Sequence, residues 1–272
     1  MPPAVGRLWK TDPGVVGDEE GSMTQLVGRR TRRDASPEVP LGAVCNALVV
    51  RPEGGGGASP VWKRWRFWDE RANQVTHLIG AVWSVWAAAA LMRAVANRGD
   101  TLRWTGCLVY GLSLVAVYVF SFLSHSFAQP AWRHAFRTLD QVAIFLLIAG
   151  SYTPVGVVYG LEGGWWLVLA GMWAMALVGI WAKLRVAGLR NVSVWYYLAT
   201  AWFVLCAIPR LIQVLTPAEM AWVLAGAVAY TGGVWFLLND RRWPFLHALW
   251  HLSVLAGSVC HYQAIFSSVA AR

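Results

Sequence analysis

Two histidines four residues apart, His247 and His251, are the feature of the sequence that most directly indicates chemistry. On an α-helix this spacing places both imidazoles on one face, about 6 Å apart, where they can bind one metal ion. His125, at the end of a different apolar block, can supply a third nitrogen. Three histidines with an open fourth position are typical of a catalytic zinc site rather than a closed structural one. We therefore predict that His125, His247 and His251 bind Zn²⁺.

Asp140 and Ser121 are the predicted catalytic residues beside this metal. Asp140 can accept a proton from a metal-bound water, or hold that water in place. Ser121 lies one turn before His125, and its hydroxyl can bond the water or a substrate carbonyl. Taken alone, Asp140 equally fits an ion pair with Arg137 or a carboxylate at a helix start. Ser121 alone fits a small packing residue.

The remaining histidines are weaker candidates. His261 lies ten residues beyond His251, about 15 Å along a helix, which is too far to share an ion. We expect it to be a buried hydrogen-bonding residue, and we expect His134 to be solvated in a connection. His77 ends a polar segment, residues 70–77, that precedes the first apolar block. This segment fits an N-cap network, or alternatively a polar lid or outer hydrogen-bond shell beneath the metal.

The composition indicates that the elements positioning these residues are membrane helices. The chain has 272 residues, of which 57% are hydrophobic and 14% charged, too few charges to cover a soluble domain of this size. The net charge of +9 does not indicate binding to nucleic acid, because the apolar blocks leave no soluble domain to present a basic face. Lys and Arg instead cluster at the ends of the apolar blocks. The four cysteines are far apart, which argues against a disulfide framework or a thiolate metal site.

Seven apolar blocks are long enough to cross a bilayer as helices, so we predict an all-α bundle of seven transmembrane helices over residues 61–272. The predicted spans are Val75–Val95, Trp104–Ser124, Leu139–Tyr159, Trp165–Trp181, Val194–Leu215, Met220–Leu238 and Phe245–Ser267. Many of the 18 tryptophans lie near block ends, as in an aromatic belt. Residues 1–60 carry equal numbers of acidic and basic side chains, are rich in Gly and Pro and show no regular spacing of apolar residues. This composition predicts a disordered tail.

The basic residues also predict an orientation. Eleven Lys and Arg residues lie before the first span and in the second, fourth and sixth connections, whereas five lie in the other connections and at the end. The positive-inside rule then predicts a multi-pass protein of the cell inner membrane, with a cytoplasmic N-terminus and an external C-terminus. In this orientation His125, Asp140, His247 and His251 all lie at the cytoplasmic ends of their spans. HxxxH occurs by chance, and membrane histidines often only bond between helices, but this shared depth favours a metal.

Three stretches of sequence resemble the hemolysin III family, the bacterial branch of the progestin and adipoQ receptor family. They are Glu70-x-x-Asn73-x-x-Thr76-His77, the pair of segments 121–126 and 139–154, and the segment from His247 to His261. The resemblance covers the chain from about Asp69 to Ile265. It implies a seven-helix fold in which His125, His247 and His251 bind zinc and Asp140 bonds to the zinc water. Position 124 is Ser where many relatives have an aromatic residue, and position 141 is Gln where His is expected.

The resemblance extends to alkaline ceramidases, membrane hydrolases with a comparable three-histidine site. It therefore implies cleavage of an amide bond in a membrane lipid, with zinc polarising the carbonyl and Asp140 as the base. Two alternatives stay open. One is a cytolytic or pore-forming protein, although the spans carry no polar stripe sufficient to line a wide channel. The other is a receptor-like or membrane-homeostasis protein in which zinc is structural. The oligomeric state does not follow from the sequence.

Overall fold

The computed structural model describes residues 60–185 and 194–272. The disordered tail predicted for residues 1–60 lies outside the described residues except for Pro60, and so does Cys45. Within the described ranges the structure is helical. The elements are α1 (Pro60–Val95), α2 (Thr101–Ser126), α3 (Pro130–Tyr159), α4 (Trp166–Arg185), α5 (Val194–Trp202), a 3₁₀-helix (Phe203–Ala207), α6 (Ile208–Val214), α7 (Pro217–Asn239), α8 (Leu246–Ile265) and a π-helical turn (Phe266–Ala270).

Seven of the described helical segments are long and apolar enough to cross a membrane, which confirms the predicted all-α fold with seven spans. They cover Phe67–Val95, Thr101–Ser126, Pro130–Tyr159, Trp166–Arg185, Val194–Val214, Pro217–Asn239 and Leu246–Ala270. The first and third of these start eight or nine residues before the predicted spans, because polar residues continue each helix beyond its apolar block.

The fifth span is interrupted near its middle, where α5 passes through the 3₁₀-helix into α6. Pro209 occupies the first turn of α6. Proline has no amide hydrogen, and in a continuous α-helix its ring would clash with the carbonyl four residues earlier, that of Leu205. The tighter 3₁₀ turn therefore lies just ahead of the proline, and the chain resumes α-helical geometry once proline is at the helix start.

The outside of the bundle is apolar, as expected for helices surrounded by lipid. Val82, Val228 and Trp235 expose 65%, 71% and 59% of their surface. The core lies mainly between α1, α2, α3 and α8 and includes Leu91 and Leu114, which are fully buried. Large exposed apolar side chains on most spans would be unstable in water, so this distribution supports a multi-pass membrane protein.

Small residues allow the helices to approach closely. A Cβ atom at Gly80 on α1 would collide with the Tyr118 ring of α2, and one at Gly257 on α8 would lie 2.8 Å from the Tyr230 ring of α7. Both contacts would be shorter than real carbon contacts. Since lipid tails are as apolar as the helices, close packing of this kind is a main source of helix association in membranes.

The long α1 helix corrects one alternative for the segment 70–77. This segment lies inside α1, ten or more residues after Pro60, and the Thr76 hydroxyl donates to the Ala72 carbonyl at 2.9 Å. The N-cap interpretation is therefore wrong, because an N-cap must lie at the helix start. Asp140 likewise follows the start of α3 by ten residues, so it is not a helix-start carboxylate. His134 is exposed, as expected, but lies within α3 rather than in a connection.

The ends of α1, α2 and α8 that carry the candidate residues lie together. Glu70 near the start of α1 contacts His125 at the end of α2, and Asp69 contacts Phe245 just before α8. This follows from the chain reversing direction at each connection, as the sequence predicts. Which side of a membrane this end faces stays a prediction.

Candidate metal centre

Four histidine rings meet at this end of the bundle. The ring of His251 lies 3.7 Å from that of His77, 4.4 Å from His247 and 5.4 Å from His125, measured between centroids. His125 lies 5.5 Å from His247 and 5.7 Å from His77. Three of the four residues are buried, and His247 is half-buried. The predicted residues His125, His247 and His251 are thus brought together, with His77 as an additional member.

The tightest arrangement of ring nitrogens involves His77. One nitrogen each from His77, His125 and His251 lie within 4.8 Å of one another. In a tetrahedral zinc site with bonds of about 2.0–2.1 Å, two ligand nitrogens are separated by about 3.4 Å. Side-chain movements of about 1 Å would therefore bring these nitrogens to bonding positions. His125 and His251 belong to both this group and the predicted set, and the third nitrogen comes from either His247 or His77.

The hydrogen bonds around the predicted ligands fix which ring nitrogen each can offer. The Nδ1 atom of His125 lies 3.3 Å from the Glu70 carboxylate, and that of His247 lies 3.0 Å from Asp240. The Nδ1 atom of His251 lies 3.3 Å from the Thr76 hydroxyl oxygen. Because Thr76 already donates its hydrogen to a backbone carbonyl, its oxygen accepts from His251. All three rings are then protonated at Nδ1, which leaves Nε2 free to bind a metal.

His77 has a different set of partners. Its Nε2 atom lies 2.8 Å from the Ser121 hydroxyl. Its Nδ1 atom is buried and has no hydrogen-bond partner within the described part of the chain, and the same holds for the nearby Asn73 Oδ1. Buried polar atoms normally have partners, so two such atoms beside a histidine cluster are unusual. Protonation of His77 at Nε2 would leave Nδ1 with a free lone pair.

Ser121 connects His77 to the predicted catalytic carboxylate. Its hydroxyl lies 2.8 Å from Nε2 of His77 on α1 and is close to the Asp140 carboxylate of α3. Because a carboxylate only accepts, a hydrogen bond from Ser121 to Asp140 would leave the Ser121 oxygen to accept from His77. Ser121 is buried and Asp140 is half-buried. Ser121 is therefore not merely a packing residue, and it links the carboxylate to the histidine cluster.

The other singled-out residues lie outside this cluster. His261 is half-buried on α8, and its Nε2 atom lies 3.2 Å from the Val223 carbonyl of α7. This confirms the expected hydrogen-bonding role. Cys107, Cys206 and Cys260 are free thiols, in agreement with the absence of disulfide spacing in this part of the chain.

Sequence reasoning missed the partners that hold the rings. The sequence offers no pattern that indicates Asp240, and it presents Glu70 and Thr76 only as parts of a polar segment. The signal for Glu70 and His77 was their separation of seven residues, which places both on one face of a helix. Asp240 lies at the end of α7 and contacts His247 across the connection to α8. Helical spacing cannot predict this contact, because the two residues do not belong to one helix.

The donor set fits a divalent transition metal. Imidazole nitrogens suit Zn²⁺ and its neighbours in the first transition row, and the bonds from Glu70 and Asp240 to the outer nitrogens are those typical of ligating histidines.

Comparison with known proteins gives a consistent set of relatives. Residues 65–262 match the model of the family described as haemolysin-III related. The chain is 37% identical over 199 residues to Hemolysin-3 of Bacillus cereus, covering 72% of this chain and 90% of that protein. It is 32% identical over 205 residues to a Hemolysin-3 homolog of Bacillus subtilis (strain 168), covering 72% and 92%. It is also 27% identical over 211 residues to the human monocyte to macrophage differentiation factor, covering 73% and 84%.

Proposed function

The chain belongs to the haemolysin-III-related family of multi-pass membrane proteins, and on that premise we propose that it is a zinc-dependent hydrolase of a lipid amide. The observation that carries the proposal is the histidine cluster, in which three rings are each held at Nδ1 by an oxygen of a neighbouring side chain. A purely structural hydrogen-bonded cluster has no need to hold Nδ1 of three neighbouring rings and leave the other nitrogen of each ring available to a metal.

His125, His247 and His251 would hold the metal. The chemistry that a bound zinc ion supplies here is polarisation of an amide carbonyl and a lowered pKa for water. His77 lies close enough to be an alternative third ligand or to line the open position. The hydrogen-bond pattern favours His247, because its Nδ1 is held by a carboxylate in the way expected of a ligand.

Asp140 would act as general base. It accepts the proton that water loses as its oxygen forms a bond to the amide carbonyl carbon. When the carbon–nitrogen bond breaks, the protonated Asp140 returns this proton to the leaving amine, so the products are a fatty acid and an amine. Ser121 holds the Asp140 carboxylate in place through its hydroxyl. A mutually positioned base and hydroxyl support hydrolysis better than a purely structural site.

The surroundings of the site support a lipid as substrate. An apolar groove of about 410 Å³ runs along the first turns of α1 beside the start of α8, lined by Trp65, Trp68, Arg71, Ala72, Val75 and Phe245. Phe245 is two residues from His247, so a hydrocarbon chain in this groove lies close to the histidine cluster. The single charged residue of the lining, Arg71, is exposed and can face a lipid headgroup.

Cytolysis is the second candidate, because two relatives are named as hemolysins. A pore requires a water-lined path, yet several polar side chains in the middle of the bundle are occupied by bonds to one another. Tyr118 and Tyr230 both bond to the Ser258 hydroxyl at 2.8 Å. A receptor-like role with structural zinc would use the same histidines and would lack turnover.

The test is metal analysis of detergent-purified protein, followed by incubation with mixed lipid extracts and mass spectrometry of released fatty acids. We expect about one zinc per chain and fatty-acid release that is absent from the Asp140→Asn variant. Zinc without any amide turnover would contradict the hydrolase and favour a structural metal. Ion flux through the purified protein in liposomes, without turnover, would favour the cytolytic function.

A further inference from the structure

Phe245 has an unusual backbone conformation immediately before the helix that carries two candidate ligands. Its φ and ψ angles are 65° and −3°, in the left-handed region, and it is the one non-glycine residue with positive φ among those that the structure describes. This conformation is unfavourable for a bulky L-amino acid and persists only where surrounding contacts enforce it. Phe245 lies two residues before His247.

Two residues of α1 supply these contacts. The Phe245 amide donates to Asp69 Oδ1 at 2.7 Å. The Phe245 ring packs edge-on against the Trp65 ring, with centroids 5.9 Å apart and planes at 85°. Because Trp65 and Asp69 are four residues apart, they lie on the same face of α1. One face of α1 therefore holds both the backbone and the side chain of Phe245.

Asp69 also supplies a hydrogen-bond acceptor at the start of α8, which the Phe245 side chain cannot do. The Phe245 carbonyl accepts the Leu249 amide at 3.0 Å, so Phe245 is the N-cap residue of α8. A phenylalanine side chain cannot accept hydrogen bonds from the free amides of a helix start. The carboxylate of Asp69 accepts the amide of the N-cap residue itself and lies near the positive end of the helix dipole. α1 thus supplies a side-chain acceptor at the start of α8.

This contact lies two residues before His247, which is in the first turn of α8. The second restraint on His247 is Asp240, on the opposite side of the connection between α7 and α8. His251 lies one turn further along and is held separately by Thr76 of α1. Release of Phe245 would let the first turn of α8 change its path while His251 stayed in place, so the change would fall mainly on His247.

We propose that Asp69 is a positioning residue for the metal centre, acting through Phe245 to hold His247 at binding distance. The proposal rests on the proposed function, because it takes His247 as the third zinc ligand. In this arrangement Asp69 does not contact the metal, and the left-handed Phe245 sets the direction in which α8 starts.

The experiment measures zinc affinity of the purified full-length protein by competition with a chelator, together with thermal unfolding of the zinc-free protein. Asp69→Ala should bind zinc about 10–100-fold more weakly than the parent protein, the usual effect of losing an outer partner of a metal site. Asp69→Asn should stay within about threefold of the parent, because its amide oxygen still accepts the Phe245 amide.

A matched control is Asp100→Ala. Asp100 is also a carboxylate that accepts a backbone amide at a helix start, that of Arg103 on α2, but His125 lies at the other end of that helix. We expect this variant to lower the unfolding temperature of the zinc-free protein without changing zinc affinity.

The outcomes separate this proposal from the proposed function. If the parent binds no zinc, the proposed function fails and this inference fails with it. If the parent binds zinc and Asp69→Ala binds it equally well, only the positioning role is overturned. If Asp69→Ala does not fold, Asp69→Asn decides. Zinc binding by Asp69→Asn that is more than tenfold weaker, at an unfolding temperature like that of the parent, would also overturn the positioning role, because the amide oxygen still accepts the Phe245 amide.

Discussion

The Glu70 carboxylate lies 3.3 Å from Nδ1 of His125 and joins α1 to the last turn of α2. Arg133 of α3 approaches the same carboxylate at 4.0 Å, and Gln74 donates to the His125 carbonyl at 2.7 Å. His125 is thus held at both its ring and its backbone by side chains one turn apart on α1. This places α1, which contributes none of the three predicted ligands, among the elements that organise the metal centre.

Glu70→Ala should therefore weaken zinc binding by about 10–100-fold, because the His125 ring loses the group that fixes its orientation and tautomer. Zinc affinity measured by chelator competition checks this. Glu162→Gln is the matched control, since Glu162 pairs with Arg210 at the opposite end of α3 and its side chain is 91% exposed. Equal losses in the two variants would mean that Glu70 acts only through general stability.

Single alanine replacements of the histidines should identify the ligands. His125→Ala and His251→Ala should each remove most of the bound zinc, because these residues belong to both arrangements of nitrogens. We expect His247→Ala to do the same and His77→Ala to retain zinc. The reverse result would assign the third bond to His77. Metal content per chain after purification is the measurement, and His261→Ala is the control because His261 bonds to Val223 instead.

Asp140→Asn should separate catalysis from metal binding. The amide keeps the shape of the side chain and can still bond Ser121, but it cannot accept a proton from water. We expect zinc content close to that of the parent, with fatty-acid release lowered by roughly 10²–10⁴, the range for loss of a general base. Loss of zinc together with activity would show that Asp140 is needed to hold the metal.

The orientation in the membrane is tested by reporter fusions after Arg272. The basic residues predict a cytoplasmic N-terminus, and seven spans then place the C-terminus outside. A reporter active only outside the cytoplasm should function at this position, and a cytoplasmic reporter should not. The opposite pattern would place the histidine cluster at the external end of the bundle.

The cap of α2 gives a prediction on pH. The backbone amide of Arg103 donates to Asp100 and holds the pKa of that carboxyl below its usual value. Because this pKa is lowered in the folded state, the stabilisation is present above the unfolded-state pKa and is lost as pH falls through the folded-state value. Asp100→Ala should lower the free energy of unfolding by about 1 kcal/mol at pH 7. The difference in thermal unfolding between parent and variant should shrink in acid, whereas a constant difference would contradict the assignment.

The sequence by itself determined the seven spans and the common end of the bundle at which the candidate residues meet. This was possible because membrane crossing depends on local properties: a span needs a run of apolar residues about 30 Å long, and each connection reverses the chain. The separation of His247 and His251 by four residues fixed their common face for the same reason, since the helical period is local. That His125 and Asp140 lie at the same end of the bundle followed from counting the spans, because successive spans run in opposite directions.

The tertiary structure alone decided how the site is held. The Glu70, Thr76 and Asp240 contacts to the histidine rings join different helices, and the depth of a residue does not determine how each helix is rotated about its axis. The N-cap alternative for residues 70–77 failed because polar residues can continue a membrane helix beyond its apolar block, as α1 does from Pro60. The left-handed Phe245 was also beyond sequence analysis, since its conformation is enforced by Asp69, 176 residues away along the chain.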